Sequence, residues 1–292
     1  MYPQDLKFTI IFRTDESNIG DWYSSPARYF DLPGNSKDIW KLDHGYEPEY
    51  ENVIYGGGGL IGQMRPMGHT ITNQKNGNYK VFGWGLGEHI YVSMDEQTQS
   101  IPPIDISYPF YIRKFDLLGI RDWYPGIYTA VPSARWVPCA SCMHEAFDKE
   151  YEVKNDIVFF THQSLPMFVI HMMPKQTWDY PHMNNDNKQT FEEVIEFLGS
   201  ADVVVTNSYH GAYWATLLGK VVVAFPWASK FHGLKHKPLL CPAPDWWKTL
   251  NNSEQHQYNH ALEECRQANR DFHKEMINYI LNVPQTLKFE TT

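Results

Sequence analysis

Apolar positions along the chain gather in short β-branched or aromatic runs, and most of these runs end in a glycine-bearing or charged loop. In the first half, Lys7 to Arg13, Asn52 to Tyr55, Val81 to Phe82 and Leu117 to Ile120 read as strands. From Glu152 the pattern restarts. Strands are predicted over Asp156 to Thr161, Asp202 to Thr206 and Lys220 to Phe225, with a further apolar run from Phe168 to Met172. Polar, helix-compatible stretches separate them. A helix is expected from about Asn18 to Tyr29, and another from the Thr190/Glu193 capping box to Leu198. Further helices are expected over Ala212 to Leu218 and, capped by Ser253, at the C-terminal end. The final helix places Tyr258, Leu262, Cys265, Phe272, Met276 and Ile280 at spacings of three, four and seven. Pro174 to Asn187 and Trp227 to Trp247 read as loops. Two runs of alternating strand and helix, meeting near Phe147 to Glu152, imply an α/β protein of two Rossmann-like, doubly wound halves facing a cleft. The halves are residues 1–148 and 149–292, with the C-terminal helix packing across.

The stretch from Gly199 to Pro226 organises the second half: a buried strand, the polar turn Asn207-Ser208-Tyr209-His210-Gly211, a helix and another strand. Open parallel sheets bind ligands at the carboxyl ends of their strands. A helix starting there aims free N–H groups and its positive dipole end at anions. Ser208 and His210 stand beside those groups, although Ser208 as a cap and His210 as a core histidine is the plainer alternative. Other strand ends carry comparable elements. Asn18, Gly20 and Asp21 form N-x-G-D after the first strand; Asp21 can cap a helix, and Gly20 lets backbone approach a ligand. Gly56 to Gly59 follow the second strand and can cradle an anion or a sugar hydroxyl, yet match neither a dinucleotide fingerprint nor a P-loop. Arg121 ends a strand and offers a planar fork to a carboxylate or phosphate, or an ion pair to Asp122. His162 ends another, and Lys230 lies just beyond Lys220 to Phe225.

Composition narrows the classes. With 42% hydrophobic and 20% charged residues, the 292-residue chain is an ordinary globular protein. A net charge of -9 without any basic block argues against nucleic acid as the partner. No apolar run reaches the ~18 residues of a membrane span. MYPQDLKFTIIF lacks the regions of a signal peptide, so a cytoplasmic location is expected. Aromatics, at 15%, suit a sugar cleft as well as a core. Cys139 and Cys142 have CxxC spacing, but Cys241 and Cys265 lie far from them and from each other, so a structural role is expected. The 13 histidines are scattered and show no HxxxH pair in a convincing place, so no metal site is expected.

Together these elements resemble the polysaccharide pyruvyl transferase family. N-x-G-D at Asn18 to Asp21, GGGGL at Gly56 to Leu60, FGWGLG at Phe82 to Gly87, GIRD at Gly119 to Asp122 and PCASCM at Pro138 to Met143 carry the likeness. SADVVVTNSYHGAYWATLLGK at Ser200 to Lys220, followed by SKF at Ser229 to Phe231, carries it most specifically. The resemblance implies a fold like two-domain B-type (GT-B) glycosyltransferases, with an acceptor-side N-terminal half and a donor-side C-terminal half. It also implies transfer of the pyruvyl group of phosphoenolpyruvate onto sugar hydroxyls as a ketal, in polysaccharide biosynthesis, without a cofactor. His210 and Arg121 match a histidine and an arginine of the family, whereas Ser208 stands where many members carry arginine. On this reading His210 is the acid or a phosphate ligand, and Asp21 is the acceptor base with His162 as a second candidate. Arg121, Lys230 and Ser208 hold the phosphate with Asn207, Tyr209 and Gly211 around them. Asn18, Gly20, Gly57, Gly58, Gly59 and Trp84 line the acceptor side. The partners implied are a small donor and a saccharide; a lipid-linked acceptor and a homo-oligomer remain open. A nucleotide-sugar glycosyltransferase and an inert sugar- or anion-binding module are the alternatives.

Overall fold

The computed structural model describes residues 6–43, 45–62, 64, 68–91, 108–163, 179–254 and 256–282. Its β-branched and aromatic runs form two wholly parallel sheets. The first contains β1 (Phe8–Phe12), β2 (Gly34–Asp38), β3 (Asn52–Gly58), β4 (Lys80–Leu86), β5 (Leu117–Ile120) and β6 (Ala134–Trp136), in the order β2-β1-β3-β4-β5-β6. The second contains β7 (Asn155–Thr161), β8 (His182–Asn184), β9 (Ala201–Thr206), β10 (Val221–Ala224) and β11 (Leu239–Leu240), in the order β11-β10-β9-β7-β8. In each sheet the chain steps outward once and then returns to the other side of its first strand. The first sheet therefore reverses between β1 and β3, the second between β7 and β9. Loops leaving neighbouring strands diverge at such points, which opens a crevice above the carboxyl ends.

The inner strands are largely apolar because both of their faces are covered, whereas the edge strands β2 and β8 are polar. Phe8, Ile11, Val53, Ile54, Val81 and Phe82 are fully buried in the first sheet, and Val158, Phe159, Phe160, Val204 and Val205 in the second. The final helix, Ala261–Ile280, joins the two cores. Ala261 and Cys265 pack with Trp214, Phe191 and Val204, whereas Phe272, Met276 and Ile280 pack with Phe8, Ile10, Phe82 and Trp84. Its apolar spacing is the one read from the sequence.

Several expectations change. The helix expected from Asn18 to Tyr29 is one turn, Ile19–Trp22, followed by a 3-10 turn at Pro26–Arg28, because Pro26 has no N–H to continue the ladder. Gly56 to Gly58 lie inside β3, where a Cβ on Gly56 would press on Pro26 at 3.1 Å and Gly58 has φ +104°. Gly57 has φ +73°, and a Cβ there would sit 2.4 Å from Ser24 Oγ. The helix expected from Ala212 begins at Tyr209, since the Ser208 N–H donates to Thr206 Oγ1 (2.9 Å) and turns the chain at once. Ser253 does not start the last helix. It closes the preceding one, Trp246–Asn252, by donating its N–H to the Thr249 carbonyl (3.0 Å). The loop expected to Asn187 contains β8, whose pairing with Phe159–Thr161 rests on backbone hydrogen bonds rather than an apolar run. The Phe168 to Met172 run lies outside the described residues. The Thr190/Glu193 capping box forms as read, opening Phe191–Gly199.

Phe272 is 2% exposed where the bridging helix meets the first sheet. Phe272→Ala should cost about 3–5 kcal/mol, as buried Phe truncations do. Denaturant unfolding checks this, and a loss below about 1 kcal/mol would contradict the helix's bridging role.

Candidate functional site

The loops leaving the carboxyl ends of the two sheets border one cavity of about 380 Å³. Arg13, Asp15, Asn18 and Asp21 reach it after β1, Gly59 and Leu60 after β3, His89 and Tyr91 after β4, and Arg121 after β5. From the second sheet come His162 and Gln163 after β7, Asn185 after β8, Ser208 to His210 after β9, and Trp227 and Lys230 after β10. The two sets of loops touch directly. The Ile19 N–H donates to the Asn185 carbonyl (3.2 Å), the Ser229 N–H to the Ile90 carbonyl (2.9 Å) and the Trp123 N–H to the Gly233 carbonyl (2.7 Å).

N-x-G-D has a local physical basis. Asn18 Oδ1 accepts from the Gly20 and Asp21 N–H groups and from Asn185 Nδ2 (3.1, 3.4 and 3.2 Å), which caps the short turn and ties it to the second sheet. Gly20 lies against the His210 imidazole: a Cβ would stand 2.1 Å from Nδ1. That close approach requires glycine. His210 also stacks on Trp214, and its Nε2 is 3.7 Å from Cys139 Sγ. Asp21 is thereby turned to the cavity.

On the opposite side, Ser208 caps Tyr209–Leu217 by accepting from the Gly211 N–H (3.3 Å). The amides of Tyr209 and His210 precede the first intrahelical bond and remain available. Arg121, 3% exposed, lays its guanidinium 4.0 Å from the Tyr209 ring centre. Its Nε is 3.9 Å from Asp122 Oδ1, too far for a hydrogen bond, while Asp122 Oδ2 accepts the Glu88 N–H (2.6 Å). Arg121 is therefore not consumed by the neighbouring pair that the sequence offered it. Lys230 is 9% exposed and sits 4.1 Å over Trp227. Arg13 differs, being paired with Asp15 and Asp38 and stacked on Trp40.

Burial and neighbouring charge shift several titrations here. Burial first, then Arg121, Lys230 and His162, pushes His210 well below its ordinary range. Burial and Lys230 lower His162 to about 4; burial, Lys230, Arg121 and His162 lower His89 to about 3. Burial and the nearby Arg121 lower Lys230 against the pull of Asp21. Burial raises Asp21 despite Lys230 and Arg121. The cavity thus holds neutral imidazoles, and its lining carries three basic residues, Arg13, Arg121 and Lys230, against two acidic ones, Asp15 and Asp21.

Of the residues named from sequence, Asn18, Asp21, Gly59, Arg121, His162, Ser208, Tyr209, His210 and Lys230 meet at this cavity. Gly20 and Gly211 instead give way to the His210 and Phe160 rings. Gly57 packs on Ser24, Gly58 lies beside Leu60, and Asn207 Oδ1 accepts the His162 N–H (2.8 Å). Trp84 is a core residue, not an acceptor-side one. It is fully buried against Phe30 and Phe272, and its indole N–H donates to Asn269 Oδ1 (2.8 Å). Sequence reasoning missed Arg13, at the end of a predicted strand, and Asp15, His89, Tyr91, Gln163 and Trp227, in loops after predicted strands. Trp40 and Asn185 follow β2 and β8, whose polar sequences carry no strand signal. Cys139 and Cys142 are free and buried, in keeping with a structural role.

The fold and cavity define an α/β protein with a buried, cation-rich pocket at the carboxyl edges of two parallel sheets. A family model, polysaccharide pyruvyl transferase, matches residues 143–229, which include β7 to β10 and the Ser208-Tyr209-His210 turn. No curated protein matches the chain. A functionally uncharacterized protein of Klebsiella pneumoniae is 18% identical, with a TM-score of 0.41 over 75% of this chain and 83% of that one. The wall teichoic acid polymerase TagF is 7% identical, with a TM-score of 0.41 over 94% and 86%. Among the described residues no helix is long and apolar enough to cross a membrane.

The histidine shifts set a pH dependence. The unfolded chain takes up protons on His89 and His162 below about 6.5, whereas the folded protein resists them down to about 3 and 4. Their contribution to stability is complete above pH 6.5 and is lost as pH falls toward 4. His162→Gln should flatten that loss in unfolding measured from pH 7 to 4; an unchanged slope would show that His162 is not held neutral.

Proposed function

We propose that this protein transfers the pyruvyl group of phosphoenolpyruvate onto two hydroxyls of a saccharide, forming a cyclic ketal. The halves 1–148 and 149–292 would act as the acceptor and donor sides of a GT-B-like cleft. One observation carries the reading: two buried cations, Arg121 and Lys230, face the same cavity as the free first-turn amides beside Ser208 and His210. Two buried cations crowded together are costly, as the lowering of Lys230 by burial and Arg121 shows, and an anion with about three charges offsets that cost. The family match over the SYHG block supports this donor rather than an arbitrary anion.

In this reading the donor phosphate rests on the helix N-terminus with Arg121 and Lys230. Ser208, standing where many members of that family have arginine, caps the helix, and Arg13 adds a third cation at the cavity wall. Three negative charges beside His210 raise its depressed pKa, so the donor itself equips the acid. His210 then protonates the vinyl CH₂, which becomes CH₃ as C2 turns electrophilic. Asp21, whose burial makes it a stronger base than an exposed carboxylate, removes the proton of the first attacking hydroxyl. The C2–O bond to phosphate breaks, phosphate leaves with its electron pair, and a second hydroxyl closes the ketal. Its proton leaves with the phosphate, and the proton taken by Asp21 replaces, through solvent, the one given by His210, so atoms balance: donor plus diol gives ketal plus inorganic phosphate. His162 would serve as a second base. Trp40, Tyr91 and Trp227 offer apolar ring faces for the sugar, with Tyr91 and Trp227 stacked at 5.7 Å.

His210→Ala should lower phosphate release from phosphoenolpyruvate by about 10²–10⁴-fold with the thermal transition retained; near-normal turnover would remove the acid from the scheme. Phosphoenolpyruvate at a hundredfold excess over Kd should raise stability by ~2.7 kcal/mol. Lys230→Met should weaken that binding by about 10- to 100-fold, the scale of a charged hydrogen bond. A shift with nucleoside diphosphates alone would point to glycosyl transfer in the same cavity. Ligand binding without phosphate release from any donor would point to a binding module.

A further inference from the structure

Away from the cavity, the fold assembles a second polar cluster that the sequence did not suggest. His236 lies in the segment between the Ser229–Phe231 turn and β11. His260 immediately precedes the Ala261–Ile280 helix, and Glu264 is one turn into it. Two helix-start residues four apart share a face, and His236 approaches that face from the neighbouring segment. The ligand-capable atoms of the three lie within 4.8 Å of one another. His236 is 8% exposed, with Nε2 2.7 Å from Glu264 Oε2. Lys235 holds the other carboxylate oxygen while its ammonium stands 4.5 and 4.2 Å from the Trp123 and Trp136 rings.

We infer that His236, His260 and Glu264 form a binding site for a divalent ion of the zinc class. Two imidazoles and one carboxylate are a donor set that zinc takes readily, at about 2.0–2.2 Å from each atom. Tetrahedral ligand atoms are then about 3.4 Å apart. The His236–Glu264 contact is already shorter than this and must open slightly; the widest separation must close by a little more than 1 Å. His260 is exposed and supplies that movement through its side chain. The fourth position falls to water. Entry of the ion replaces the proton shared by His236 and Glu264, while Lys235 remains on Oε1 as a standing competitor.

The ion has a structural use that does not depend on the chemistry of the cavity. It would clamp the segment following Lys230 to the start of the helix that joins the two cores. No catalytic step is assigned to it.

Thermal unfolding of the full chain, first stripped with a chelator and then titrated with ZnCl₂, tests the site. Stoichiometric zinc should raise the transition of the parent protein, and His260→Ala, altering one exposed side chain, should lose that rise. His236→Gln, which retains a hydrogen bond to Glu264, should lose it as well. Lys235→Gln should bind zinc at least about fivefold more tightly, the scale of removing one charge at about 4 Å under water-like screening. Cobalt in place of zinc should give the visible bands of a tetrahedral nitrogen and oxygen site. No rise with zinc, or an equal rise in both histidine variants, would overturn the assignment and leave the cluster an ion-pair network only. Phosphate release by His260→Ala without added metal should equal that of the parent protein, so the outcome is separable from that of the pyruvyl transfer reading.

Discussion

The confinement of Arg121 and Lys230 in one largely closed space is the constraint to which the cavity's other features answer. Arg121 stands 3.9 Å from Asp122, beyond hydrogen-bond range, and each cation lies on an aromatic face, Tyr209 or Trp227. Ring quadrupoles attract cations without neutralising them, so the field persists. It helps hold His210, His162 and His89 uncharged, and it opposes the burial that pushes Asp21 toward neutrality. A space with this imbalance is prepared for an anion.

The fold makes that arrangement possible by geometry. Each parallel sheet reverses its strand order once, and the strand ends on both sides of the two reversals supply most of the cavity wall. Contacts at Asn18, Asn185, Ile90 and Ser229 bring the two groups of loops together, while the long final helix fastens the cores behind them. Gly20 allows His210 to lie flush against the first half. A larger residue there would push the imidazole out of its position rather than merely loosen a turn.

Much of this was legible along the chain. The apolar runs over Phe8–Phe12, Leu117–Ile120, Asn155–Thr161, Ala201–Thr206 and Val221–Ala224 mark buried strands, and the residues after them point to Asp21, Arg121, His162, His210 and Lys230. Residues after β2 and β8 were not legible because those edge strands are held by backbone bonds, which leave no hydrophobic period. Trp84 was misplaced for a related reason. A tryptophan flanked by glycines looks like a cleft residue, yet the glycines make room for strand packing while its indole reaches Asn269 on the last helix.

The sequence by itself determined the two α/β runs, the parallel strands and the strand-end positions of the central site residues, because strand burial and capping chemistry are local. Only the tertiary structure decided which strand ends share a cavity, that Arg121 is stacked on Tyr209 rather than bonded to Asp122, and that His236 meets His260 and Glu264. Those outcomes depend on packing between residues far apart in the chain. Spacing along a sequence carries no measure of that distance.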